Sequence, residues 1–322
     1  MALSTTSSPD SASIQQDWNK DTISSLVSIG THKLFLSISG PPRHANAPVV
    51  IILAGAGETI RSYPALERIV STFARILLYD RSGLGRSEDG PKRSTAVAAA
   101  GELSDALEAT RISPPFILVA HSYGAIIARE LLHILQNGVA GMVLAEAATE
   151  RQCQFFKIPD PNIAAVIGDL NVAQVTGLRA DSMLSRDEWR VRAAERPRGM
   201  VASQAEADSF VEVCETLGAK RQFERLAMGD KPVSIIRCNG ARDYGRLYAQ
   251  GVEVGNGTEE QRKAFRDLLD TWDAIDRELK EEQLRLSSKN HFVHIPDCGH
   301  NVQLVRPDVI AKEIQWVLDN IC

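Results

Sequence analysis

The stretch FILVAHSYGAIIARELL, residues 116–132, decides the fold. Its first five residues form an apolar run that suits a strand buried on both faces. From Tyr123 onward the residues are helix-compatible, with apolar side chains at helical spacing. Serine fits neither element well, because its hydroxyl competes for nearby backbone groups. Yet Ser122 stands where strand gives way to helix, between the small residues Ala120 and Gly124. A strand that ends in small-x-Ser-x-Gly and flows straight into a helix is a nucleophile elbow: the turn is too sharp for bulky flanks and holds the hydroxyl out at the carboxyl end of the sheet. The plainer reading is a serine that only caps the helix. The apolar strand before it and the long helix pattern after it favour the elbow.

Working outward, residues 23–40 contain two β-rich runs about Gly30-Thr31 and predict an antiparallel hairpin. Residues 48–57 and 74–80 read as buried strands, and 63–73 and 94–110 as helices. Another strand follows at 141–147. Strand and helix alternate, which implies a mostly parallel sheet with helices on both faces and right-handed crossovers. The rhythm stops after Ala147. Residues 149–230 carry helical patterns and no convincing strand, so they are expected to form a folded helical lid inserted in the core. A strand resumes over 231–240. A long amphipathic helix over 257–288, with Thr258 as N-cap, is expected to turn its charges to solvent; its other reading, pairing with a second copy, leaves a homodimer open. A last strand and a closing helix complete the pattern. The expected organisation is a disordered leader (1–20), a core (21–148 and 231–322) and the lid (149–230).

Composition narrows the function. The 322 residues are 44% hydrophobic and 24% charged, ordinary for a globular protein with a large core. The net charge of −5 gives no basic footprint for nucleic acid. No apolar run nears the roughly 18 residues of a membrane span. The start of the chain has no apolar signal core. The five cysteines are scattered and form no Cys-x-x-Cys pair. A cytoplasmic protein without metal or cofactor is the expectation, and neither a phosphate-binding loop nor a full dinucleotide fingerprint is present.

Three further stretches join the elbow. LAGAGET (53–59) follows the first buried strand, YDRSGLGRSE (79–88) follows the second, and GHNVQLVRPDVI (299–310) precedes the closing helix. Together with the elbow they resemble the α/β-hydrolase superfamily over residues 23–320. In that family the first stretch is the oxyanion loop, the second a glycine turn, and the third carries the catalytic base. One departure is Ala54, where the family usually has histidine.

The resemblance implies Ser122 as nucleophile, activated by an imidazole. Of seven histidines, His300 stands in the family's position. His121 adjoins Ser122 but is expected to point away from it, as packing or pocket lining. Two acids compete as partner of the imidazole. Asp243 follows the resumed strand, the commonest site in the superfamily; its plainer reading is a helix-entry or salt-bridge residue. Glu146 ends the strand after the elbow helix, where some of the family's lactonases and dehalogenases carry theirs; a carboxylate there is costly unless paired. Glu146 is favoured. The oxyanion donors are expected to be the N–H groups of Tyr123 and Ala56, with Gly57 beside them. Glu58 either enters the pocket or faces solvent, the latter being favoured. Asp80 is expected to hold its own glycine turn. Phe155, Phe156, Ile158 and Ile163 either line an apolar pocket or only seal lid to core. The expected activity is cleavage of an ester or lactone of a small to medium apolar molecule. The alternatives are acyl transfer or cyclisation with the same residues, or a ligand-binding role. Serine in place of aspartate argues against epoxide hydrolase and dehalogenase chemistry.

Overall fold

A computed structural model describes residues 16–321. Eight strands form one sheet: β1 (Ile23–Ser28), β2 (Lys33–Ser39), β3 (Val49–Leu53), β4 (Arg75–Tyr79), β5 (Phe116–His121), β6 (Val139–Ala145), β7 (Val233–Arg237) and β8 (Asn290–His294). Their order is β1-β2-β4-β3-β5-β6-β7-β8. The β1–β2 and β2–β4 pairs are antiparallel and all others parallel. The exchange of β3 and β4 in space makes a crossover, and the carboxyl ends of β3 and β5 become neighbours.

Every residue of β3, β4, β5 and β7 is buried, which is why these strands read as continuous apolar runs. Their side chains alternate between two cores. Val49, Ile51, Leu53, Phe116 and Leu118 pack with α2 (Ala96–Ala109) and α3 (Gly124–Leu135). Val50, Ile52, Ile117 and Val119 pack with α1 (Pro64–Val70) and with the closing helix, described below.

Seven helices fill the connection from β6 to β7: α4 (Gln152–Phe155), α5 (Pro161–Ile167), α6 (Val172–Val175), α7 (Leu178–Asp181), α8 (Arg186–Glu195), α9 (Met200–Asp208) and α10 (Phe210–Gly218). Residues 200–218 form two successive helices that meet at Ser209. The β7–β8 connection adds α11 (Gly240–Glu253) and α12 (Glu259–Glu282). Thr258 caps α12 in a capping box with Gln261. Helix α5 packs on both α11 and α12, so the helical layer over the sheet draws on two connections. The α11 helix has no counterpart in the sequence reading. After β8 come α13 (Val302–Val305) and the closing helix α14 (Pro307–Asn320).

Residues 1–15 of the expected leader lie outside the described residues. Residues 16–20 correct that expectation: Trp18 is buried, and its carbonyl accepts from Arg75 Nε at 2.8 Å. No helix among the described residues is long and apolar enough to cross a membrane.

Candidate active site

Ser122 follows β5 directly and has φ of 52°. A non-glycine residue held there carries about 1–3 kcal/mol of strain, which its surroundings must enforce. They do: Ser122 N–H donates to the Ala145 carbonyl (3.2 Å), and Ala148 N–H donates to the Ser122 carbonyl (3.0 Å). The turn is therefore clamped by the end of β6. Gly124 is required by close approach, since a Cβ there would lie 2.1 Å from the Leu53 carbonyl oxygen. The helix starts against β3 only because no side chain intervenes. Among the described residues the Ser122 hydroxyl makes no hydrogen bond, so it is unoccupied by structure.

The two candidate acids part company. Glu146 is buried at the end of β6, and its Oε2 lies 3.1 Å from His300 Nδ1. A carboxylate only accepts, so Nδ1 carries a proton. Oε1 of Glu146 accepts from the Cys238 backbone N–H at 2.6 Å. Burial alone would raise the Glu146 pKa, but Lys280, His300 and the Cys238 N–H outweigh it and bring it down to about 2. Asp243 makes no hydrogen bond or ion pair with His300. Asn239 caps α11 immediately after β7, and Asp243 falls in its first turn. Its Oδ1 pairs with Arg242 at 3.0 Å, and it packs under Gly299, where a Cβ would lie 1.9 Å from Oδ2. Asp243, the less favoured acid, instead has its other reading: a helix-entry residue whose carboxylate pairs with Arg242.

The backbone N–H groups of Ala56 and Tyr123 have no partner among the described residues. Gly57 is different: its N–H donates to Glu206 Oε2 of α9 at 2.8 Å. Glu206 also pairs with Arg81, both fully buried, and Arg81 in turn donates to the carbonyls of Ala54 and Gly55. The loop 54–57 is thus fixed by one buried ion pair that ties it to a helix of the β6–β7 connection. Asp80 accepts from Ile60 N–H and Arg86 N–H, holding both its own glycine turn and the exit of that loop.

Ser122, Glu146 and His300 line one cavity of about 270 Å³. Phe156, Ile158 and Ile163 line it too, with Tyr244 and Trp272. Trp272 stacks between Phe156 (4.7 Å) and Tyr244 (4.6 Å). Three expected pocket residues lie elsewhere. Phe155 turns outward beneath Arg151. Gly57 lines a separate cavity with Arg192 and Ser203. His121 is buried behind the elbow, its Nε2 2.9 Å from the His300 carbonyl. Glu58 is largely covered: it lines that same separate cavity with Ala56 and bonds to Ser62, Tyr63 and Gln303.

Helix α12 turns most of its charges to solvent, as expected, but Asp276 and Lys280 are buried exceptions. Leu268, Trp272, Asp276, Leu279 and Lys280 line the cavity. Lys280 is buried and pairs with Asp276 at 2.9 Å, and Asp276 pairs with Arg237 at 2.8 Å. The signal was present in the sequence as a tryptophan and a leucine stripe within a charged helix. What it lacked was any sign of where that stripe pointed. Among the described residues no cluster of side chains is suited to a metal ion.

The alpha/beta hydrolase family profile matches residues 50–313. The chain belongs to that family. It is 31% identical to an AB hydrolase superfamily protein of Gibberella zeae over 300 residues, covering 89% of this chain and 91% of that one. It is 33% identical over 301 residues to a probable transporter, efuK, of Hormonema carpetanum. That match covers 91% of this chain but only 42% of efuK, so the family member here spans less than half of that relative. Among solved structures, Cfl2 from Burkholderia cenocepacia superposes with TM-score 0.60 at 16% identity, covering 92% of this chain and 95% of that one. An enol-lactonase from Burkholderia xenovorans gives 0.55 at 15%, covering 92% and 100%. Identities this low speak for the fold alone.

Proposed function

We propose that the protein is a serine hydrolase that opens an ester or lactone bond of a small to medium apolar molecule. The observation that carries this is the His300–Glu146 pair opening into the same cavity as a serine strained at the elbow. Ser122 attacks the carbonyl carbon and His300 Nε2 takes its proton. Glu146 holds the imidazole in the Nδ1–H tautomer and offsets its charge once it is protonated. The tetrahedral oxyanion is received by the N–H groups of Ala56 and Tyr123, which are unspent in the free protein. His300 then protonates the leaving alcohol, or the alkoxide arm of a lactone, and the acyl group stays on Ser122. In the second half His300 draws a proton from the attacking water, the C–Oγ bond breaks, and His300 returns the proton to Ser122 as the acid leaves.

One feature favours water as the second acceptor, and another the class of substrate. The His300 side chain is 39% exposed, so solvent reaches the base. The cavity combines apolar and aromatic side chains such as Phe156, Ile163 and Trp272 with the charged Lys157, Asp160, Asp276 and Lys280, which suits a moderately sized ester or lactone with an apolar body. The test is labelling by a fluorophosphonate together with turnover of p-nitrophenyl esters and simple lactones. Labelling that disappears in Ser122→Ala, with turnover of at least one substrate, is the expected result. Labelling without turnover of any of them favours acyl transfer or cyclisation instead. Absence of both removes the enzyme reading and leaves a binding role.

A further inference from the structure

Beside the proposed triad is a second buried pair that the reaction as written does not use. The Nε2 of His121 lies 2.9 Å from the His300 carbonyl oxygen, so it carries a proton. The other ring nitrogen, Nδ1, is buried without a hydrogen-bond partner and lies 3.3 Å from Glu58 Oε2. A bare lone pair facing a carboxylate in a buried site is repulsive; a proton on Nδ1 turns the same contact into an ion pair. Glu58 is built to be the anion. Its Oε1 accepts from Ser62 (3.0 Å) and Gln303 (3.0 Å), and its Oε2 from Tyr63 (3.1 Å). Arg192 of α8 lies 3.5 Å from Oε1. Burial opposes its charge, but His121, Arg192 and Ser62 hold its carboxyl well below the usual range.

We propose that Glu58 and His121 form a buried ion pair that positions His300. The pair joins the three segments on which the site depends. Glu58 belongs to the oxyanion loop, His121 to the elbow, and both reach the base segment: His121 through the His300 carbonyl, Glu58 through Gln303 of α13. The rings of His121 and His300 are also 4.9 Å apart, which fixes the imidazole from behind. Gly55 makes room, since a Cβ there would lie 3.0 Å from His121 Nδ1, 3.2 Å from Glu58 Oε2 and 3.4 Å from Ser122 Cβ. The other charges facing this cluster are the Arg81–Glu206 pair, which grips the Ala54 and Gly55 carbonyls from the far side of the loop. Neither Glu58 nor His121 touches substrate in this scheme; both are positioning residues.

The inference rests on the serine hydrolase reading for its kinetic consequence only, and the test separates the two. Histidine-selective ¹⁵N NMR of the intact protein at neutral pH reads the pair directly, with His121 assigned by its loss in His121→Gln. Protons on both ring nitrogens are expected in the wild type and on Nε2 alone in Glu58→Gln. A bare Nδ1 in the wild type overturns the proposal whether or not the protein is an enzyme. The second readout is the rate of fluorophosphonate labelling of Ser122. Loss of a positioning contact of this kind costs up to about 100-fold in rate. Glu58→Gln and His121→Gln are each expected to slow labelling by about 10- to 100-fold, and the double variant to be no slower than the worse single one. Wild-type labelling rates in both folded variants overturn the proposal. If the wild type itself is never labelled, the hydrolase reading falls and the NMR result still decides the pair.

Discussion

Replacing Glu146 by glutamine tests the assignment of the acid with almost no change in shape. The amide oxygen still accepts the Cys238 N–H at the place of Oε1, so the end of β6 keeps its bond to β7. The other end fails. The amide NH₂ now faces His300 Nδ1, where Oε2 had been 3.1 Å away. Two donors cannot face each other, so the imidazole moves its proton to Nε2 and Nδ1 becomes the acceptor. An imidazole with Nε2 protonated cannot take the Ser122 proton. The stabilisation of the imidazolium by a neighbouring carboxylate is lost as well. Trapping a triad histidine in the wrong tautomer costs about 10⁴-fold in turnover, or about 5.4 kcal/mol of barrier. Asp243→Asn is the control. Asp243 pairs with Arg242 and makes no hydrogen bond or ion pair with His300, and asparagine keeps an acceptor for Arg242, so turnover is expected to stay within about fivefold of wild type. The assay is turnover of any responsive ester or lactone, paired with the rate of fluorophosphonate labelling. Near-wild-type activity in Glu146→Gln, or a collapse in Asp243→Asn, refutes the reasoning.

Glu146 also links stability to pH. Its folded pKa of about 2 lies below its ordinary value of 4.5, so its contribution is complete above about 4.5 and is lost as pH falls toward 2. On linkage this is about 3 kcal/mol; the urea midpoint should drop between pH 5 and pH 3 in wild type and much less in Glu146→Gln, and equal drops would contradict it. Gly124→Ala puts a Cβ 2.1 Å from the Leu53 carbonyl; helix α3 must leave β3, and a loss of about 3 kcal/mol or more should appear as a lower thermal midpoint. Glu206→Gln strips the partner from a buried Arg81 and should cost about 3–5 kcal/mol, with unchanged urea unfolding as the refuting outcome. Trp272→Ala opens the aromatic wall of the cavity and should raise KM with little change in kcat, by about 1–2 kcal/mol or more for a ligand seated there; an unchanged KM for every substrate would mean that the cavity is not where they bind.

Much of the architecture was legible in the chain because its signals are local. A strand buried on both faces must be apolar throughout, as β3, β4 and β5 are. The elbow must have Gly124, because only hydrogen fits against Leu53. Thr258 and Gln261 announce the start of α12 within four residues. Ser122 could be named as a candidate because the elbow pattern has its own steric reason, and His300 because its segment resembles the family's. The family assignment drew on the same short patterns.

The choice between Glu146 and Asp243 was weighted toward Glu146 by chemistry, but its geometry came from a helix cap. Asn239 starts α11 one residue after Cys238 and carries Asp243 toward Arg242, something no spacing along the chain displays. The same holds for Glu58 and for α12. Glu58 read as solvent-facing because its partners Ser62, Gln303, His121 and Arg192 come from four separate parts of the sequence. Helix α12 read as a charged outer helix because most of its residues are polar, yet Lys280, Asp276 and Trp272 point into the cavity. A sequence reports which elements the backbone forms and which residues tolerate water, since those follow from sterics and solvation within a few positions. Which carboxylate meets which imidazole is a distance of a few ångströms between segments a hundred or more residues apart, and only the packing of the whole chain sets it.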